Sequence, residues 1–132
     1  QRAITAEAAH AAVAAAVAKA GELGIRINAA VTDASGVLAA FLRMPGAFLQ
    51  SIDIAIDKAY TAAGFGFSTK DWMQLIGHDE GMKLGFSARP RLVVFGGGLP
   101  IRAGGALIGG IGVSGASAAQ DAEVAEAALA AR

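Results

Sequence analysis

The chain has 132 residues, 55% of them apolar, and a formal net charge of zero. That length and apolar content make a single folded domain, residues 1–132, with a core of its own. The charge balance excludes the basic face that nucleic acid or a membrane surface requires, and the absence of cysteine excludes disulfides, cysteine-based metal sites and thiol nucleophiles. No apolar run approaches the roughly 20 residues of a spanning helix, so a cytoplasmic protein is expected. The first methionine is Met44, so the native start is expected upstream, and a secreted or periplasmic origin stays open.

Thr5 reads as an N-cap with Glu7 in the first turn, and an alanine-rich helix follows to about Leu23, with Gly24 as the stop. Ile25 to Thr32 alternates, turns at Asp33 to Gly36 and returns as Val37 to Leu42, which predicts an antiparallel hairpin. In that turn the Asp33 side chain is expected to accept from nearby amides. Met44-Pro45-Gly46 breaks the pattern. Ile52, Ala55, Ile56, Ala59 and Ala63 then recur at helical spacing. Ser68 to Asp71 opens another helix through Trp72, Leu75 and Ile76. Three short strands are expected at Leu92 to Phe95, Leu99 to Ala103 and Leu107 to Val113.

The last segment, Ile108 to Leu129, joins a glycine-laced strand to a capped helix. Ser117 and Gln120 have the spacing of a capping box, and Asp121 and Glu123 favour the positive end of the helix dipole. Glycine numbers 18, about twice its usual share, and it marks turns and close backbone approaches, not a linker. Helices apart from a strand meander indicate an α+β domain with an antiparallel sheet. The alanine-rich helix surfaces suit close packing, within the chain or between copies.

The motifs VTDASGVLAAFLRMPGA (Val31 to Ala47), SIDIAIDKAYTAA (Ser51 to Ala63), GGLPI (Gly97 to Ile101) and IGGIGVSGASAAQDAEVAEAAL (Ile108 to Leu129) run in order through nearly the whole chain. Together they resemble the GlcG/HbpS family, which includes the C-terminal domain of PduO-type proteins. The resemblance implies a five-stranded antiparallel sheet flanked by helices. It also implies a homo-oligomer, from dimer to octamer, and binding of haem or another tetrapyrrole-related small molecule. Two departures stand out. Pro45 follows Arg43-Met44 where the family usually has an acidic residue, and Gly64 to Arg89 is longer and more aromatic than the family pattern.

Haem iron needs an axial donor, and His10 and His78 are the two imidazoles available. His10 borders the Val13 and Val17 face of the first helix. It reads either as the ligand of haem iron or as a half-buried histidine bonded to a carbonyl. His78, in GHDEG, reads as a general base or as part of a solvated turn, because its neighbouring carboxylates point away from it on a helix. Arg43 reads as a carboxylate clamp for a haem propionate or an organic acid, or as a surface ion pair. Lys58 follows Asp57 on an apolar helix and reads as a ligand contact or a structural ion pair. Gly97 and Gly98 offer amides for an anion, or a tight connection between strands. They are no P-loop, since its lysine and hydroxyl residue are missing. Ser114 lacks the glycine pattern of a nucleophile elbow.

Two functions therefore lead. One is a haem-binding or haem-handling protein using His10, Arg43, Gly97 and Gly98. The other is a cofactor-free lyase or isomerase on an aromatic or hydroxy acid, using His78, Arg43 and Lys58 for chemistry and Trp72 and Phe67 for ring packing. A ligand-free accessory or scaffold protein is the third.

Overall fold

The computed structural model describes residues 3–131 as one α+β domain. Helix α1 (Ala6–Leu23) leads into strands β1 (Asn28–Asp33) and β2 (Leu38–Arg43). Helix α2 (Gln50–Phe65) follows, then a single 3-10 turn at Thr69–Asp71 and two short helices, α3 (Trp72–Ile76) and α4 (Glu80–Ser87). Strands β3 (Gly98–Ala103) and β4 (Ala106–Ser114) and helix α5 (Ala118–Ala130) complete the chain. The sheet has the order β2-β1-β4-β3, with every neighbouring pair antiparallel.

Local signals place the ends of these elements. Thr5 Oγ1 accepts from the Ala8 amide at 3.1 Å, and Gly24 ends α1 with φ 70°. Asp33 Oδ1 accepts from the amides of Ser35 and Val37 at 2.9 and 3.0 Å, which sets the hairpin turn. Ser117 and Gln120 form the reciprocal capping box that starts α5.

The sheet has four strands, not the five expected, and Leu92 to Phe95 is the missing one. This segment satisfies its backbone against α2 instead of a ladder. The Val93 amide donates to Thr61 Oγ1 at 3.1 Å, and that hydroxyl donates to the Arg91 carbonyl at 2.9 Å. Arg91 takes the unusual φ of 68°, its guanidinium 3.7 Å from the centre of the Tyr60 ring and its Nε 2.9 Å from Asp57 Oδ1. Side chains of α2 thus hold the segment off the sheet edge.

Helices cover both faces of the sheet. Ala29, Val31, Ile111 and Val113 join Ala9, Val13 and Ala16 of α1 and Val124 and Ala128 of α5 in the main core. On the other face Ala30 meets Ala55 and Ala59 of α2, with Phe41 beside them. Here the glycines of β4 have a defined task. A Cβ on Gly110 or Gly112 would run into the carbonyl of Ala59 or Ala55, so α2 lies directly on the backbone of β4. That close approach puts Lys58, on the same helix face, at the end of the sheet. Gly112→Ala is expected to lower unfolding free energy by about 3 kcal/mol through overpacking. A urea unfolding midpoint equal to wild type would contradict the close approach.

Candidate functional site

Lys58 is fully buried, with 0% relative exposure, on the alanine face of α2. Its Nζ donates to the Val113 carbonyl at 2.8 Å and to Asp121 Oδ2 at 3.1 Å. The centre of the Phe95 ring lies 5.0 Å from the same nitrogen. Gly97, at φ 131°, leaves the space: a Cβ there would stand 2.6 Å from Nζ. Gly98 does the same for the α2 backbone, since its Cβ would stand 2.6 Å from the Lys58 carbonyl oxygen.

Asp121 lies in the first turn of α5, and its Oδ1 accepts from the Ala116 amide at 3.0 Å. The pair therefore ties α2, the end of β4 and the start of α5 at one point. Burial pulls the Lys58 ammonium below its ordinary value, opposed by attraction to Asp121 and the hydrogen bond between them. Burial likewise pushes the Asp121 carboxyl up, opposed by Lys58 and by amides of Ala116 and Gly115. Both shifts favour the neutral forms and bring the two proton affinities toward each other.

An open cleft of about 370 Å³ adjoins this pair, lined by Lys70, Met73, Val94, Phe95, Ala118 and Ala122 among others. Phe95 is 49% exposed, so its ring is both a wall of the cleft and the cover over Lys58 Nζ. Lys70 stands on the rim, 3.1 Å from Glu126 Oε2. The Gly98 amide donates to Thr69 Oγ1 at 2.9 Å, which fixes the turn carrying Lys70 against β3.

Beyond α3 the aromatic residues gather. Trp72 is buried, its ring centre 4.7 Å from Phe65, 5.1 Å from Phe67 and 5.2 Å from Phe86. A shallow opening of about 250 Å³ lies beside them, at Met82, Gly85, Phe86 and Arg89. Trp72 Nε1 has no hydrogen-bond partner among the described residues.

The structure brings Lys58 together with Gly97 and Gly98, and Phe67 together with Trp72. It keeps the other expected site residues apart. His10 is exposed on α1, which packs on the sheet face opposite α2. His78 is exposed in the turn between α3 and α4, where the neighbouring Asp79 caps α4 by accepting from Met82. Arg43 pairs with Asn28 at the end of the β1–β2 ladder, and its Nη2 donates to the Ala47 carbonyl at 2.8 Å. Among the described residues no group of three His, Asp or Glu is placed to hold a metal ion, and no helix is long and apolar enough to cross a membrane.

Asp121 and Phe95 were not among the expected site residues. The signal for Asp121 was present: with Val124, Ala125 and Ala128 it lies on the buried stripe of α5. A carboxylate on an apolar stripe needs a buried cation, and Lys58 stands in the same position on α2. Nothing local marks Phe95.

Residues 4–130 match the family model for haem-degrading HbpS-like proteins. The chain belongs to the HbpS-like family. It is 37% identical over 113 residues to an uncharacterized 15.0 kDa protein from the dhaT–dhaS intergenic region of Citrobacter freundii, covering 85% of this chain and 80% of that one. It is 35% identical over 118 residues to the corrinoid adenosyltransferase PduO of Salmonella typhimurium, covering 89% of this chain but only 35% of PduO. The chain thus spans about a third of that enzyme. Among solved structures, HbpS superposes with a TM-score of 0.89 at 34% identity, covering 99% of this chain and 91% of HbpS. The PduOC:heme complex superposes with a TM-score of 0.87 at 32% identity, covering 99% of this chain and 96% of that one.

Trp72 is the only tryptophan, so its environment can be read by fluorescence. Phe86→Ala is expected to red-shift its emission, increase acrylamide quenching and cost about 1 kcal/mol of stability. An unshifted spectrum would show that Phe86 does not cover the indole.

Proposed function

We propose that this HbpS-like protein binds and handles haem. The observation that carries the reading is the near-complete superposition, over 99% of the chain, on a relative solved as a haem complex. The surface of α1 fits such a group. His10 is exposed there, and Ala6, Ala14 and Ala18 are exposed four and eight residues along the same helix. Small side chains beside an imidazole let a flat macrocycle lie close to the helix while the ring nitrogen reaches iron. Bound haem would supply redox and oxygen chemistry. The chain's own part is to present His10, shield one ring face with the alanine surface and pair a propionate with an arginine. Arg43 stays a candidate for that pairing, since Ala47 occupies only one of its nitrogens in the described contacts. Gly97 and Gly98, packed against Lys58, serve the buried pair rather than this surface.

Self-association belongs to the same proposal. The edge strand β2 and the loop after it expose Leu38, Phe48 and Leu49 at 45%, 66% and 71%. An unpaired edge carrying apolar side chains is a surface for a second copy of the chain. A cytoplasmic setting fits this reading, and the absence of cysteine makes the fold indifferent to the redox state of its compartment.

A second reading, a cofactor-free lyase or isomerase on a small organic acid, has one observation in its favour. A buried amine and carboxylate touch beside an open cleft. Of the residues assigned to it, Lys58 stands at that cleft. Arg43 and His78 stand elsewhere on the surface, and Trp72 and Phe67 pack in the adjoining aromatic cluster.

Hemin titration tests the first reading. Wild type is expected to show a shifted Soret band, and His10→Ala to bind about tenfold more weakly, near 1.4 kcal/mol. No Soret shift in wild type would remove the haem reading, and an equal shift in His10→Ala would remove His10 as the ligand.

A further inference from the structure

We propose that Lys58 is an imine-forming amine for small carbonyl acids, reached from the α3–α5 cleft when the Phe95 ring swings aside. This rests on the lyase or isomerase reading and names its substrate class; it is independent of haem.

The geometry supplies each part of the site. The amine is withdrawn from water and held against two acceptors, the Val113 carbonyl and Asp121 Oδ2. An ammonium has three hydrogens, and the remaining direction is covered by the Phe95 ring. That ring is half exposed and precedes Gly96 and Gly97, so its movement displaces no buried side chain of its own segment. Beyond it lies the cleft, whose walls are apolar at Val94, Met73 and Ala122. Its rim carries the Lys70 ammonium and the first turn of α5, the positive end of the helix dipole. A compound with a carboxylate at the rim and a carbonyl at the floor matches that arrangement.

The chemistry closes without an outside reagent. Within the 3.1 Å contact a proton passes from Lys58 Nζ to Asp121, leaving a neutral amine and a carboxylic acid. The amine lone pair forms a C–N bond to the carbonyl carbon, and a proton moves from nitrogen to the new oxygen. Asp121 returns its proton to the hydroxyl, which leaves as water as the C=N bond forms. A protonated imine and the Asp121 carboxylate remain, so charge is unchanged overall. Opposed burial of the two groups keeps their proton affinities close enough for this exchange. The imine then acidifies the neighbouring C–H, which is the chemistry an isomerase or lyase needs.

The test uses pyruvate as probe with sodium cyanoborohydride, read by intact mass and peptide mapping. The chain has four lysines, and Lys19, Lys70 and Lys83 are all more exposed than Lys58. The expected result is a reduced adduct on Lys58 ahead of the other three. Phe95→Ala should accelerate it about tenfold by opening the path, and Asp121→Asn should slow it about a hundredfold by removing the proton carrier. Phe95 is a surface ring, so its variant keeps the test valid if Asp121→Asn does not fold. Adducts confined to the exposed lysines, in wild type and in Phe95→Ala, would overturn the proposal. Deuterium exchange into the pyruvate methyl group, followed by NMR, separates the site from the wider reading. An adduct on Lys58 without exchange supports the imine site and removes turnover of this probe. Exchange without a Lys58 adduct, persisting in Lys58→Arg, overturns the imine site and leaves the enzyme reading standing.

Discussion

A buried ion pair governs this molecule. Lys58 and Asp121 lie 63 positions apart in sequence, yet each is nearly or wholly removed from water, and they meet at 3.1 Å. Taking two charges out of water costs several kcal/mol each, and only close pairing with further hydrogen bonds offsets that cost. The fold supplies both. The Val113 carbonyl receives one hydrogen of Lys58, and the Ala116 amide donates to the other oxygen of Asp121. The surrounding glycines follow from the same demand. Gly112 lets α2 descend far enough for Lys58 to reach, and Gly97 leaves room for its nitrogen. The segment that opened as a glycine-rich loop before a helix is therefore the receiving half of this contact.

The pair also organises what a ligand could meet. Phe95 covers it on one side and walls the cleft on the other, while the turn at Thr69 to Asp71 is pinned to β3 beside it. The aromatic cluster around Trp72 carries α3, and α3 carries Met73 into the cleft. The His10 surface on α1 lies on the far side of the sheet. The two proposed activities thus belong to different faces of one domain, and a result at one does not decide the other.

Local chemistry was legible in the sequence where it acts locally. Thr5, Asp33 and the Ser117–Gln120 box each bond within four residues, and each stands where the pattern put it. The apolar stripes of α1, α2 and α5 follow from helical spacing in the same way. Leu92 to Phe95 has the composition of a strand, but its hydrogen bonds go to Thr61, about thirty residues earlier, and no local pattern reports that. The family motifs implied the helix-flanked antiparallel sheet and missed only the strand that Thr61 withholds. The site was half legible. Lys58, Gly97 and Gly98 could be singled out as residues, but their mutual contact needs the tertiary fold, and so does the partner Asp121. His10, His78 and Arg43 looked like one chemical set, and the structure puts them on separate surfaces.

The most direct test of this account is a double-mutant cycle on Lys58→Met and Asp121→Leu, measured by chemical denaturation. Each single change leaves a buried charge without its partner and is predicted to cost about 3–5 kcal/mol. The double variant is predicted to cost far less than the sum, with a coupling of about 3 kcal/mol. Costs that add within about 0.5 kcal/mol would show that the two groups do not depend on each other, and the account would fail.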